Sequence, residues 1–385
     1  MIVTAKYKEI FRTLRDEILS GKYSSHHSFP SSIALSRRFA VSRFIVRQAL
    51  DRLIQEGLIK TQKGRGTFVT KQGTSRKIGL VVPGIAYSEF YSPLVSDLSR
   101  LCQEGGYALL FGDVYSTKPS VRAEQALAIA NSFVEQGVSG VIYQPIEFLA
   151  NAEEVNERIL SVFDKVGIPV VLLAYDITLS SRRSAHDIIG INNAEAGSML
   201  GEYLMGLGAH DIHFLMRPRW SPSGAARLRG VAGVMQDFGK VNWMGRNVLR
   251  ANPDNLTAIR RHLRARPKAD AFICGCDEDA MLLCRTLAKL RKRVPDDIML
   301  VGFDDIRYAT VMSPQLTTIR QPHDQIAAMA FRALLERIVE PDLPPREIYL
   351  PATLVEREST KKVLESCRGE QMAGKTGDFQ SENKT

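Results

Sequence analysis

The chain is 385 residues long, more than one hydrophobic core usually spans, and its 44% hydrophobic and 24% charged content excludes a fibrous or wholly disordered polymer. It holds no apolar run of about 18 residues, and the opening Met1-Ile2-Val3-Thr4-Ala5-Lys6 carries no secretory apolar core, so no membrane span or export signal is expected and the expected location is the cytoplasm. The net charge of +9 is unevenly held: residues 1–77 contain 16 Lys and Arg against 5 Asp and Glu, the remainder 35 against 37.

Residues 7–20 set Ile10, Leu14 and Ile18 on one helical face, and Gly21 stops that helix. After Pro30, Ser31 or Ser32 can cap a second, short helix carrying Ile33, Ala34, Leu35 and Phe39, and Ala40-Val41 makes a turn. Ser42 then caps a third helix that runs to about Gln55 and ends at Gly57, because glycine accepts the left-handed conformation of a helix terminus. Residues 58–61 and 67–69 are strand-like and joined by Lys63-Gly64-Arg65-Gly66, which reads as the wing of a small domain ending near residue 70. The polar residues 71–77 read as a linker.

From Ile78 the pattern alternates apolar strand runs with amphipathic helices, as a doubly wound α/β domain requires. The runs at 78–82, 107–111, 140–143, 170–173, 188–191, 212–216, 271–274 and 299–303 exceed one sheet's usual complement, which predicts two lobes over residues 78–358. Residues 359–385 are polar and read as a disordered tail. The cysteines Cys102, Cys274, Cys276, Cys284 and Cys367 are odd in number, so free thiols are expected. Cys274 and Cys276 follow the apolar run 271–274 without a histidine at finger-like spacing, and read as small buried side chains, not metal ligands. No cofactor or metal is expected.

The charge asymmetry gives the small domain an electrostatic footprint for a polyanion. At about 100° per residue, Val46, Ala49, Leu50 and Leu53 of the third helix share one face, and Arg43, Phe44, Arg47, Gln48 and Asp51 the other. Arginine's planar fork can bond both acceptors of a guanine edge, which is what a recognition helix must present. The stretch Pro30-Ser31, Leu35-Ser36-x-Arg38-Phe39-x-Val41-Ser42-Arg43-x-x-Val46-Arg47-Gln48-Ala49-Leu50, Leu53-x-x-Glu56-Gly57-Leu58-Ile59 and Gly64-Arg65-Gly66-Thr67-Phe68-Val69 resembles the GntR family of winged helix-turn-helix regulators. The resemblance implies that Arg43 and Arg47 contact bases or nearby phosphates of double-stranded operator DNA and that Ser42 holds the helix N-terminus against the backbone. It also implies that the wing residues Lys63, Gly64 and Arg65 enter a minor groove. Ser32-Ile33 stands where the family usually has an acidic residue followed by arginine, and Phe44-Ile45 replaces a common pair of small hydroxyl residues. Phe44 is open to two readings, contact with a thymine methyl or a hydrophobic rim contact.

Beyond the linker, Ile78-Gly79-Leu80-Val81-Val82-Pro83, Phe90-Tyr91-x-x-Leu94, Asn192-Asn193-x-x-Ala196-Gly197, Arg227-Leu228-x-Gly230, Cys276-Asp277-x-x-Ala280, Val301-Gly302-Phe303-Asp304-Asp305 and Pro314-x-Leu316-Thr317-Thr318-Ile319-x-Gln321-Pro322 resemble the LacI-type effector domain, which shares the periplasmic-binding-protein fold. Ligands of open α/β sheets settle at the C-terminal ends of strands. By resemblance, Arg227, Asp277, Asp304 and Gln321 would hydrogen-bond a small-molecule effector from the second lobe, and Phe90 and Tyr91 would offer an aromatic wall from the first. Tyr175 and Asp176 follow the fourth strand run, where the family often places a charged residue. The residues alone leave structural readings open: Asp304 and Arg227 as a buried pair, and Asp277 as the cap of a helix beginning at Glu278. The expected effector is a carbohydrate, with purines and other small polar molecules as alternatives.

The whole is expected to be a homodimeric regulator on a palindromic operator, acting as a repressor or an effector-dependent activator, in which effector binding closes the lobes. An enzyme acting on nucleic acid or a metabolite is the competing class. The sequence shows no phosphate loop, no His-Glu-x-x-His and no nucleophile elbow, so an enzyme is not expected. A DNA-packaging protein leaves so large a sensor-like domain unexplained.

Overall fold

A computed structural model of the chain describes residues 2–19, 22–23, 29–62, 66–70, 77–84, 89–114, 116, 118–147, 149, 151–178, 183–219 and 221–361. The first helix, α1 (Ile2–Leu19), begins ahead of the predicted start. It packs Ile10, Leu14 and Ile18 inward with Leu35 of α2 (Ser32–Phe39) and Val46, Ala49 and Leu53 of α3 (Arg43–Gln55). Ser31 caps α2, its hydroxyl accepting from the Ala34 amide at 3.2 Å. Ser42 stands at the N-cap of α3, yet its side chain makes no cap bond, contrary to expectation. Its carbonyl oxygen accepts from the Ile45 and Val46 amides and starts the helix, while the residue remains exposed. An antiparallel hairpin follows, β1 (Ile59–Gln62) with β2 (Gly66–Val69), in the register Ile59 to Val69. The wing-tip residues Lys63, Gly64 and Arg65 lie outside the described residues, as do linker residues 71–76.

The remaining elements in chain order are β3 (Lys77–Val82), α4 (Tyr91–Glu104), β4 (Ala108–Asp113), α5 (Pro119–Glu135), β5 (Gly140–Tyr143), α6 (Ala152–Asp164), β6 (Val170–Leu173), β7 (Asp187–Ile191), α7 (Asn193–Gly206), β8 (Ile212–Met216), α8 (Pro222–Asp237), α9 (Trp243–Asn247), β9 (Val248–Arg250), α10 (Leu256–Ala265), β10 (Ala271–Cys274), α11 (Asp277–Lys289), β11 (Met299–Asp304), α12 (Arg307–Val311), β12 (Thr317–Arg320), α13 (His323–Val339), β13 (Glu347–Leu350), β14 (Thr353–Val355) and a final short 3-10 helix, Glu358–Thr360. They form two six-stranded sheets, ordered β13-β7-β6-β5-β3-β4 and β14-β12-β11-β10-β8-β9. The first is parallel throughout, and the second is parallel except for β14. Strands buried on both faces explain the continuous apolar runs.

Contacts group the described residues of 1–192, 221–223 and 322–351 into a first unit and those of 193–220, 224–321 and 352–361 into a second. In the first, Val141, Tyr143 and Leu172 pack with Phe133 and Phe163. In the second, Leu215, Phe272 and Leu300 pack with Leu283 and Leu287. Among the described residues no helix is long and apolar enough to cross a membrane, and no group of three His, Cys, Asp or Glu could hold a metal ion. Cys102, Cys274, Cys276 and Cys284 are free thiols.

Two expectations about boundaries are corrected. Lys77 opens β3 instead of closing the linker. The expected tail from residue 359 begins too early: Ser359 and Thr360 are buried, and the Ser359 hydroxyl donates to the Leu300 carbonyl at 2.6 Å and accepts from the Thr317 amide at 2.8 Å. Residues 362–385 lie outside the described residues.

The first unit is pinned by Asp187, which opens β7 and is fully buried. Burial opposes its ionisation, but Arg337 of α13 (Nη2 to Oδ1, 2.7 Å) and Arg346 (Nη2 to Oδ2, 2.8 Å) hold its carboxyl down at about 2. Asp187→Asn leaves the buried Arg337 guanidinium without its counter-ion. We expect a loss of about 3–5 kcal/mol in urea unfolding, and a change under about 1 kcal/mol would contradict this account.

Candidate functional site

The basic residues of the N-terminal domain divide by what they touch. Glu17 takes Arg38 (Nη1 to Oε2, 2.6 Å), Lys22 and the Tyr23 hydroxyl (2.8 Å). Glu56 takes Arg15 at 3.2 Å and Arg52 at 3.5 Å. Arg43 and Arg47 have no ion pair among the described residues, and both stand exposed on the outward face of α3 beside Phe44, whose surface is 66% exposed. Asp51, one turn beyond Arg47, does not pair with it. The face therefore offers two unneutralised guanidinium forks and one apolar ring, which suits phosphates, guanine edges and thymine methyls. Arg37 and Lys60 are also exposed and without an ion pair among the described residues; the sequence reading missed them because isolated surface cations carry no pattern.

In the second unit the expected effector residues meet at the C-terminal ends of β8, β10, β11 and β12. Arg227 of α8 is placed by two glycines. A Cβ on Gly197 of α7 would lie 2.0 Å from the Arg227 carbonyl oxygen, and one on Gly230 would lie 1.8 Å from that of Ala194, so only glycine lets the two helices approach this closely. The buried guanidinium lies 4.4 Å from the Phe303 ring centroid. It donates from Nε to Asn193 Oδ1 (2.9 Å), from Nη1 to the Gly275 carbonyl (2.7 Å) and from Nη2 to Asp304 Oδ1 (3.2 Å). Gln321 Nε2 donates to the same Asp304 oxygen at 2.8 Å. Asp304 thus takes part in a buried pair and still has Oδ2 without a hydrogen bond among the described residues. Its φ of 105° is a strained conformation for a side-chain-bearing residue, and such strain collects at ligand sites.

Asp277 corrects the expectation of effector contact. It is fully buried as the first residue of α11, not the cap before it, with Oδ1 accepting from Thr318 Oγ1 (2.6 Å) and Oδ2 from the Ile306 amide (3.0 Å). Burial, with Asp304 nearby, pushes its carboxyl well above the usual range, so it braces the turn after β11. A pair that the sequence reading missed lies alongside: Arg217, the residue after β8, donates from Nε to Asp279 Oδ1 at 2.6 Å. Asp279 has a side chain 6% exposed, Arg217 one 41% exposed. The strand-end rule that found Asp304 would also have found Arg217.

In the first unit, Phe90 meets Tyr91 edge-on at 5.1 Å between centroids and His323, the first residue of α13, at 4.7 Å. Tyr91 is buried and Phe90 half-buried, which forms the expected aromatic group with a histidine added. Tyr175 donates its hydroxyl to the Pro145 carbonyl at 3.0 Å, and burial raises its pKa far above the ordinary value. Asp176 is half-buried, and its Oδ1 accepts from the Ile177 amide (2.7 Å) and its Oδ2 from the Ser184 amide (2.9 Å).

Residues 6–69 match the family described as bacterial regulatory proteins of the gntR family, and residues 202–360 match the periplasmic binding protein-like domain. Similar proteins include the arabinose metabolism transcriptional repressor of Geobacillus stearothermophilus, 27% identical over 93% of this chain and 98% of its own length. The HTH-type transcriptional repressor PurR of Escherichia fergusonii is 27% identical over 75% of this chain and 81% of its own. Among solved structures, the transcription regulator CcpA of Lactococcus lactis (TM-score 0.63, 18% identity, 74% of this chain and 100% of that one) and the transcriptional regulator CelR–cellobiose complex (TM-score 0.63, 21% identity, 86% and 100%) share the fold.

The Glu17 cluster generates a test of the N-terminal domain. The hydrogen bond from Arg38, opposed by burial, holds the Glu17 carboxyl near 2 against an ordinary 4.5. A depressed carboxylate stabilises the fold fully above its ordinary value and loses that contribution as pH falls through its folded value. The difference in unfolding free energy between wild type and Glu17→Gln should be complete at neutral pH and narrow as pH drops from about 4.5 towards about 2. A difference independent of pH would refute the pairing.

Proposed function

With a GntR-type winged helix-turn-helix at its N-terminus and a LacI-type effector domain behind it, the chain is a DNA-binding transcription regulator, and we propose that it is a repressor whose hold on operator DNA is set by a small hydroxyl-rich effector. The observation that carries this reading is the face of α3, where Arg43 and Arg47 stand exposed and without an ion pair among the described residues. Both named relatives are repressors. Of the structurally similar regulators, one is a complex with cellobiose and a LacI-family regulator from Enterococcus faecium has bound ribose (TM-score 0.60, 22% identity), which supports a carbohydrate effector here.

In this reading Arg43 and Arg47 engage base edges in the major groove, with Phe44 beside them, and Ser42, Lys63, Gly64 and Arg65 line the backbone and the minor groove. Residues to about 70 form the reading head and residues 77–361 the sensor. Two copies meet the two halves of a palindromic operator in the cytoplasm. On the sensor, Asp304 and Arg227 of the second unit bind effector hydroxyls with Gln321; within the first unit, Phe90 and Tyr91 are aromatic rings of a kind that suits sugars. The protein catalyses no reaction; its output is occupancy of DNA.

Arg43→Ala and Arg47→Ala should each weaken operator binding by about 1–3 kcal/mol and relax base preference, read by fluorescence anisotropy on operator and random duplexes. Equal loss on both duplexes would make the contacts phosphate-only. Asp304→Ala should lose the effector-dependent change in operator binding while the effector-free protein still binds its operator. Undiminished effector affinity in isothermal titration would remove Asp304 from the site.

A further inference from the structure

We propose that the segment after β8, Arg217-Pro218-Arg219, reads an anionic oxygen group on the effector, so that the ligand is a phosphorylated or carboxylated sugar and not a neutral one; this rests on the effector-sensor reading above. Arg217 follows directly on the last residue of β8, at the C-terminal edge of the second sheet that also carries Arg227 and Asp304. Open α/β sheets bind ligands at that edge.

The two guanidinium groups are held differently. Arg227 is buried and donates to three protein acceptors. Arg217 gives only Nε to a buried carboxylate, Asp279 at 2.6 Å, and keeps 41% of its side chain exposed. Asp279 needs this cation, since an unpaired buried carboxylate is costly; the bond holds Arg217 through Nε and leaves its two Nη nitrogens without a hydrogen bond among the described residues. The second carboxylate contact, Nη2 to Glu278 Oε1, is 3.6 Å long between half-exposed groups and is worth little in water. A half-exposed guanidinium with both Nη nitrogens unbonded among the described residues can take the paired oxygens of a phosphate or carboxylate. Arg219, two residues on, is exposed and has no ion pair among the described residues, which adds positive charge on the same short segment.

The test uses the full chain and matched probes: ribose and ribose-5-phosphate, glucose and glucose-6-phosphate, gluconate, and inorganic phosphate. Melting shifts and isothermal titration should show the anionic sugars binding at least about ten-fold more tightly than their neutral partners, the usual strength of a charge-assisted fork. In Arg217→Gln that preference should fall towards unity, and Arg217→Lys should keep part of it. Each variant is read against its own ligand-free melting temperature, so that lost stability is not mistaken for lost binding. Equal affinity for neutral and anionic partners, or an undiminished preference in Arg217→Gln, overturns the assignment. Operator control by a neutral sugar alone also overturns it and leaves the sensor reading standing. A protein that grips its operator but answers to none of these probes counts against both.

Discussion

The buried guanidinium of Arg227 is the constraint on which the sensing edge depends. A full positive charge beneath the surface is tolerable only when its donors meet acceptors of fixed position. Asn193, the Gly275 carbonyl and Asp304 supply them from α7, the turn after β10 and the end of β11. The arginine can reach all three because Gly197 and Gly230 bring the backbones of α7 and α8 into direct contact. Gly302 plays the same part below: a Cβ there would lie 2.3 Å from Asp277 Oδ1, so the carboxyl bracing the next turn fits only over glycine. Strain at Asp304, with φ at 105°, is held by these surroundings and fixes where its oxygens point.

The N-terminal domain solves the opposite problem. Its excess of cations repels itself unless some are neutralised. Glu17 and Glu56 gather Lys22, Arg38, Arg15 and Arg52, which ties α1 to α2 and to the end of α3. Arg43 and Arg47 on the outer face of α3, with Arg37 and Lys60 elsewhere, take no part in these pairs. The arginines that tie the helices together are therefore not the ones displayed on that face.

Much of the fold was legible because its strands are buried on both faces and read as unbroken apolar runs: β5, β6, β8 and β10 stand where the sequence puts them. The strands outside those runs share a physical cause. β13 alternates exposed and half-buried residues at a sheet edge, and β9 and β14 are three residues long at the other sheet's edges. β12 begins with Thr317 and Thr318, polar in sequence but fully buried because Thr317 Oγ1 lies 2.8 Å from Thr360 Oγ1 and Thr318 donates to Asp277. The same partner accounts for the error at the tail, since Ser359 and Thr360 are polar residues whose acceptors lie far off in sequence. Among candidate site residues, the outward placing of Arg43 and Arg47 and the pairing of Arg227 with Asp304 were legible by type and spacing. Asp277 was misread because sequence position cannot show that its carboxyl is fully buried and engaged within the chain.

That last distinction separates structure from recognition across the molecule. A fully buried carboxylate with both oxygens bonded to the chain, as in Asp187 and Asp277, is out of a ligand's reach while the fold stands. Asp304 has two donors on one oxygen and none among the described residues on the other, and Arg217 has one nitrogen bound and no hydrogen bond among the described residues from the other two. These groups are held by the chain through some atoms and keep others unbonded among the described residues, so a ligand bound there would meet little further ordering cost. Arg43 and Arg47 of α3 lie at the far end of the same scale, with no ion pair among the described residues, as would suit a partner whose phosphates supply the counter-charge in quantity. A small effector must find its few partners already aimed, whereas duplex DNA can order long side chains as it binds.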